Sequence, residues 1–262
     1  MRIRPRTTLV LILFCAGAVS AEPPAGPPKV STTPAAGGEF DQFEGEFGAE
    51  TGKPAKKVFD PIEGFNRVMF KVNDKFYFWL AKPLARVYGF LLPQPVRVAV
   101  GRGFENLQAP LRMANHALQG RADPVGTELG RFIVNSTLGL GGLFDPADKW
   151  FHAKQVDADF GQTLGHYGVG TGFPLTLPLL GQTNFRDGVG MVPNSMFDPT
   201  YYFTSGGVYL AETAASKTNL LSLHIGDYEK IKKDALDPYT FIRDAHLQNR
   251  EEKIKESRGN VN

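Results

Sequence analysis

Hydrophobic residues from position 58 onward recur at helical rather than strand spacing. From Ile62 they fall at Phe65, Val68, Met69, Val72, Phe76, Trp79 and Leu80, with Lys71, Asp74 and Lys75 off the stripe. That pattern predicts an amphipathic helix. A second stripe follows Pro124 through Val125, Leu129, Phe132, Ile133 and Leu138. A third follows Pro238 through Phe241, Ile242, Ala245 and Ile254, with charges filling the other face. Further helices are expected over 208–223 and 159–167. Strand signals are thin. Residues 96–100 alternate, but Pro95 suits a helix start equally, and the glycine-rich 139–142 reads as a tight turn that could join two short strands. The fold class is mainly α with little or no strand.

The dipeptide Asp-Pro adds punctuation at 60–61, 123–124, 145–146, 198–199 and 237–238. Asp caps a helix because its carboxylate accepts from the free N–H groups of the first turn. Proline suits the first helical position because its missing N–H has no partner there to lose. Five helix starts are therefore predicted. At the first, Glu63 follows Asp60 by three residues, which predicts a capping box.

Aromatic residues are denser than one buried stripe requires. Phe76, Tyr77, Phe78 and Trp79 surround most of a helical turn, and Tyr201, Tyr202 and Phe203 form another cluster. The apolar run 173–180 is interrupted by Pro174 and Pro178, so it cannot be a regular long helix. Composition alone favours a core built from aromatics; the sharper alternative sets them at a bilayer interface. After residue 21 no stretch reaches ~18 consecutive apolar residues, so no ordinary transmembrane helix is expected.

The amino terminus changes the meaning of the charge. Arg2, Arg4 and Arg6 precede an apolar run from Leu9 to Val19, and small residues stand at Val19 and Ala21 before Glu22. This reads as a cleavable signal peptide over 1–21, cut between Ala21 and Glu22. Cys15 is the one cysteine, but bulky Phe14 precedes it, which argues against lipid attachment there. Loss of three arginines and no acid takes the formal net charge from +2 to −1. The basic balance is therefore mostly targeting signal and gives no argument for nucleic acid. Residues 22–57, rich in Pro, Gly and Glu, read as a disordered linker, 58–250 as the helical domain, and 251–262 as a charged C-terminal tail.

No catalytic signature stands out. His116, His152, His166, His224 and His246 show no metal-ligand spacing, and there is no nucleophile elbow, P-loop or dinucleotide fingerprint. No cofactor is expected. His166 beside Tyr167 is the best candidate for an acid/base pair, although a histidine ending a helix before Gly168 more often serves the helix terminus.

Several motifs in order then carry a resemblance. The run FDPIEGFNR at 59–67 resembles the opening signature of the MlaA (VacJ) family. LPQP at 92–95, RFIVNSTLGLGG at 131–142, FGQTLGHYGVG at 160–170 and the Asp237-Pro238-Tyr239 triplet follow in that family's order. The resemblance covers about 59–250. It implies a ring-like bundle of amphipathic helices embedded in the inner leaflet of the Gram-negative outer membrane, around a polar-lined channel. It implies removal of mislocalised phospholipids from the outer leaflet and delivery to a soluble periplasmic carrier, with a trimeric porin as membrane partner and no bond made or broken. The alternatives are a soluble periplasmic lipid-binding or scaffold protein, or a hydrolase using His166.

Asp60, Asn66 and Arg67 are expected to act first as a cap and helix-packing set and second in lipid passage; Pro61, Gly64 and Phe65 of the same motif are channel candidates by the resemblance. Gly139, Gly141 and Gly142 fall in a loop beside the channel where a gate could sit; the plain alternative is a connecting turn. His166, Tyr167 and Gly168 carry the motif with no role beyond packing. Members are typically lipoproteins, and the absence of a convincing lipobox is this chain's departure.

Overall fold

The stripe at 62–80 forms a helix, but its apolar side faces outward. In the computed structural model, which describes residues 58–259, helix α1 (Glu63–Phe76) exposes Phe65, Val68 and Val72. Another face of the same helix carries Asn66, which is 0% exposed. Asn66 and Asn73 lie two turns apart and both clasp a short hairpin. Asn66 donates to the Pro174 carbonyl at 3.0 Å and accepts from the Thr176 N–H at 2.8 Å. Asn73 donates to the Leu177 carbonyl at 2.8 Å and accepts from the Leu179 N–H at 2.6 Å. The hairpin strands are β1 (Pro174–Leu177) and β2 (Gly181–Asn184), antiparallel, with Pro174 opposite Asn184 and Leu177 opposite Gly181. The prolines at 174 and 178 leave this run without helical hydrogen bonding, and the asparagines supply partners to its edge.

Asn66→Ala is expected to lower unfolding stability by about 2–4 kcal/mol, because a buried N–H and a buried carbonyl both lose their partner. Denaturant unfolding in detergent micelles measures it; a loss below about 0.5 kcal/mol, the size of an ordinary surface change, would contradict the clasp.

A π-helical segment, Tyr77–Ala81, carries α1 into α2 (Lys82–Leu91). Its wider turn divides the aromatic cluster. The Tyr77 ring packs on Tyr228 at 4.8 Å and its hydroxyl donates to Glu229 at 2.8 Å, whereas Trp79 is 81% exposed. The following elements are α3 (Gln94–Leu107), α4 (Ala109–Leu118), α5 (Ala122–Thr137), α6 (Pro146–Phe151) and α7 (Phe160–His166). After the hairpin come α8 (Phe185–Phe197), α9 (Pro199–Phe203), α10 (Gly206–Leu223), α11 (Asp227–Asp234) and α12 (Pro238–Ser257). Packing closes on itself: α1 through the π segment meets α2, then α10, α3, α4, α7, α12, β2, β1 and α1 again. That closed circuit of helices, with two short strands, is the ring-like arrangement expected.

Three Asp-Pro pairs cap helices as predicted. Asp145, Asp198 and Asp237 accept from the N–H groups of Asp148, Thr200 and Thr240. At the other two the assigned helix start falls elsewhere. The N-cap position of α1 is Ile62, which makes no side-chain cap bond, and Glu63 pairs with Arg67 at 2.7 Å. Asp123 lies inside α5, which already begins at Ala122. Residues 96–100 are helical, and the 139–142 turn joins two helices rather than two strands.

The charged stretch after 250 is no separate tail as far as Ser257. It is the end of α12, where Arg250, Ile254 and Ser257 are buried. Arg250 donates to both carboxylate oxygens of Asp159 at 2.6 and 2.8 Å and pairs with Asp187 at 2.6 Å. Burial pushes the Asp159 carboxyl up, but the Arg250 guanidinium outweighs it and holds that carboxyl below the usual range. The signal peptide with its Ala21–Glu22 cleavage point, Cys15 and the 22–57 linker lie outside the described residues.

Fully buried side chains are mostly polar: His116, Glu128, Asn66, Asn115, Asn184 and Asn219 lead by size. The buried apolar set is small and consists largely of alanines, at 85, 109, 147 and 158. Aromatics such as Phe90, at 89% exposed, and Phe203, at 88%, lie on the outside. The aromatic-core expectation is therefore overturned. Among the described residues no helix is long and apolar enough to cross a membrane.

Candidate functional site: a polar interior beside an apolar cleft

The α3–α5 segment builds a charged interior. Arg112 on α4 donates to Glu128 of α5 at 2.7 Å and to the Glu105 carbonyl of α3 at 2.9 Å. The second oxygen of Glu128 accepts from the Val156 N–H at 2.9 Å, and the Val156 carbonyl lies 2.9 Å from His116 Nε2. Burial pushes the His116 imidazole down, favouring the neutral ring. One turn along α5, Arg131 donates to Asp145 at 2.8 Å and to the Ala153 carbonyl. Asn135 donates to the other oxygen of Asp145 at 2.9 Å and accepts from the Ala147 N–H at 3.1 Å. Burial alone would raise the Asp145 carboxyl, but Arg131 and the Asp148 N–H hold it below its ordinary value. Each anion within this interior except one has a built cation or donor partner.

The exception is Glu105. It is open to solvent yet walled by protein, and burial pushes its carboxyl up, opposed by Arg112 and reinforced by Asp157 and Asp145. Glu105 and Arg102 line the same small polar recess as Arg112, Arg131, Asn135 and Asp145. Arg102 also lines an adjoining cleft of about 370 Å³, walled by Gln94, Pro95, Val98, Ala99, Leu143 and Phe144. A charged recess therefore opens beside an apolar cleft.

The glycine turn sits at this junction. Gly142 lines the recess, with φ +93°, and a Cβ there would stand 2.4 Å from the Asn106 Cβ. A Cβ on Gly139 would meet the Asn135 and Phe144 carbonyl oxygens at 2.4 Å. Only glycine fits both approaches. The turn is held by Gly141 N–H to the Ser136 carbonyl, Gly142 N–H to the Asn135 carbonyl and Phe144 N–H to the Gly139 carbonyl. Leu140, Leu143 and Phe144 remain exposed on its outer side.

The residues singled out from the sequence do not form one site. Of the turn glycines, Gly142 lines the recess, whereas Gly139 is buried and Gly141 exposed. Asn66 grips the hairpin, and Arg67 donates to Asp237 at 2.6 and 3.2 Å while lying 4.7 Å over the Tyr239 ring, tying α1 to α12. Gly64 is exposed with open space around it, and Phe65 is on the outer face. Asp60 and Pro61 precede α1, whose N-cap position is Ile62. Gly168, with φ +90°, ends α7: its N–H bonds the Gly165 carbonyl and the Val169 N–H bonds the Leu164 carbonyl. His166 Nδ1 lies 3.3 Å from the Ser257 hydroxyl, and Tyr167 donates to the Leu118 carbonyl. Both contacts are packing contacts, consistent with a helix-end role.

Arg102, Glu105, Arg112 and Glu128 were missed as a group. The available signal was charge inside apolar periodicity: Glu128 sits between Val125 and Leu129 of the second stripe. In the fold Leu129 and Ile133 are exposed while Glu128, Arg131 and Asn135 are buried, so stripe and polar residues have exchanged sides.

Comparison with known proteins agrees with this arrangement. A family model described as MlaA lipoprotein matches residues 58–253. An uncharacterized protein of Rickettsia bellii is 38% identical over 203 residues, spanning 76% of this chain and 78% of its own length. The intermembrane phospholipid transport system lipoprotein MlaA of Escherichia coli K12 is 32% identical over 206 residues, spanning 76% and 80%. A solved structure concerned with the structural basis for maintenance of bacterial outer membrane lipid asymmetry superposes with a TM-score of 0.67 at 28% identity. It covers 75% of this chain and 99% of the other.

Proposed function

We propose a function from one premise: this chain belongs to the MlaA family. It is a phospholipid-transport protein that maintains outer-membrane lipid asymmetry. The observation that carries the reading is the inverted amphipathicity. A closed circuit of helices buries Asn66, Glu128, His116 and Asn219 and exposes Trp79, Phe90 and Phe203. In water this arrangement would be costly. In hydrocarbon the apolar outside is solvated and the polar inside supplies a path for a headgroup.

On this reading the chain lies on the periplasmic side of the outer membrane, takes mislocalised phospholipid from the outer leaflet, and passes it to a soluble carrier. A trimeric porin is its expected membrane partner. The 139–142 turn, at the junction of recess and cleft, is the candidate gate. Movement of a lipid breaks no bond, and His166 sits in a packing contact, so no enzymatic role is assigned. The signal peptide is cut between Ala21 and Glu22, and the outer helix faces supply membrane affinity of their own. A soluble periplasmic module would leave those faces in water and is the weaker reading.

Deletion is expected to raise outer-leaflet phospholipid and detergent sensitivity, with the protein recovered in outer-membrane fractions and its mature N-terminus at Glu22 by mass. Unchanged outer-leaflet lipid in the deletion strain would refute transport, and release by osmotic shock alone would favour the soluble module.

A further inference from the structure

Arg102 and Glu105 stand apart from the charges around them. They are one helical turn apart on α3, and their side chains face one recess. The neighbouring charges are already taken: Arg112 by Glu128, Arg131 by Asp145 and Lys253 by Asp157. Among the described residues, neither Arg102 nor Glu105 has a side-chain hydrogen bond or ion pair. Both are solvent-open, and Arg102 marks the point where the polar recess meets the apolar cleft of about 370 Å³. An unpaired cation and an unpaired anion one turn apart, at the polar end of an apolar cleft, match an amphiphile bearing both charges in its headgroup.

We propose that Arg102 and Glu105 select zwitterionic aminophospholipids, the guanidinium taking the phosphate and the carboxylate taking the ammonium, with an acyl chain in the Val98–Leu143–Phe144 cleft. This rests on the transport function proposed above. A guanidinium fork matches phosphate geometry in a way a lone ammonium does not. Glu105 is walled by protein, and its burial penalty outweighs Arg112 and Arg131 and is reinforced by Asp157 and Asp145, so its carboxylate gains from an arriving cation. An anionic phospholipid such as phosphatidylglycerol satisfies Arg102 and leaves Glu105 unpaired, so discrimination comes from the group left without a partner.

The test uses the full chain in micelles containing equal phosphatidylethanolamine and phosphatidylglycerol, with retained lipid read by native mass spectrometry. Wild type is expected to retain phosphatidylethanolamine preferentially. Glu105→Gln is expected to lower that preference roughly tenfold, about one charge-assisted hydrogen bond, with phosphatidylglycerol retention unchanged. Glu105→Asp keeps the charge and the preference, and Arg102→Gln lowers retention of both lipids. A lipid ratio unchanged by Glu105→Gln, or an equal loss of both lipids in that variant, overturns the assignment. Wild type that retains no lipid at all would instead count against the transport reading. Because both side chains are partnerless and solvent-open, circular dichroism of the variants is expected to match wild type.

Discussion

Arg112→Ala is expected to lower unfolding stability by about 3–5 kcal/mol, the largest effect of any single truncation in the interior. The Arg112 and Glu128 side chains are 8% and 0% exposed. Their attraction offsets the cost of taking both charges out of water. Removal of the guanidinium leaves the Glu128 carboxylate buried with only the Val156 N–H, and also frees the Glu105 carbonyl that Arg112 holds. The paired replacement Arg112→Met with Glu128→Leu removes both charges together. It is expected to cost much less than the two single alanine changes combined, since no charge is stranded. Denaturant unfolding of the singles and the double in micelles measures the coupling. Strictly additive losses would show that the two side chains do not stabilise one another.

Charging the outer face gives the second large effect. Trp79→Asp with Phe90→Asp is expected to detach the protein from lipid vesicles in flotation. Each carboxylate placed in hydrocarbon costs about 2–3 kcal/mol, so two of them weaken partition by roughly a thousandfold or more. The two sites are 81% and 89% exposed, so the helices that carry them lose little internal packing. Far-ultraviolet dichroism should therefore stay unchanged while flotation is lost. Undiminished flotation would mean that this face looks toward something other than lipid.

Much of the local structure was legible from residue pattern. The stripes from Ile62, Pro124 and Pro238 are helices, the 159–167 and 208–223 helices form, and Asp145, Asp198 and Asp237 cap as their Asp-Pro pairs predicted. At Asp60 the helix begins later than its Asp-Pro pair predicts, with α1 starting at Glu63 and Ile62 in the N-cap position. The hairpin at 174–184 was illegible because its strands are four residues each, and part of their hydrogen bonding comes from Asn66 and Asn73 of a helix about a hundred residues away. Short-range propensity carries no trace of such a partner.

The sequence by itself determined the helical period, three of the caps, the glycine turn and the family. It did not determine which side of each helix is the inside. A stripe of period 3.6 separates two faces and says nothing of which solvent each meets. Only the tertiary structure decided that Phe65, Leu129 and Trp79 face out while Asn66, Glu128 and Asn135 face in. The physical reason is pairing at distance. Arg112 reaches Glu128, Arg131 reaches Asp145 and Arg250 reaches Asp159, and each buried charge is tolerable only because its partner arrives from another element. Arg102 and Glu105 become visible as a pair only once the charges around their recess, Arg112, Arg131 and Asp145, have found their partners.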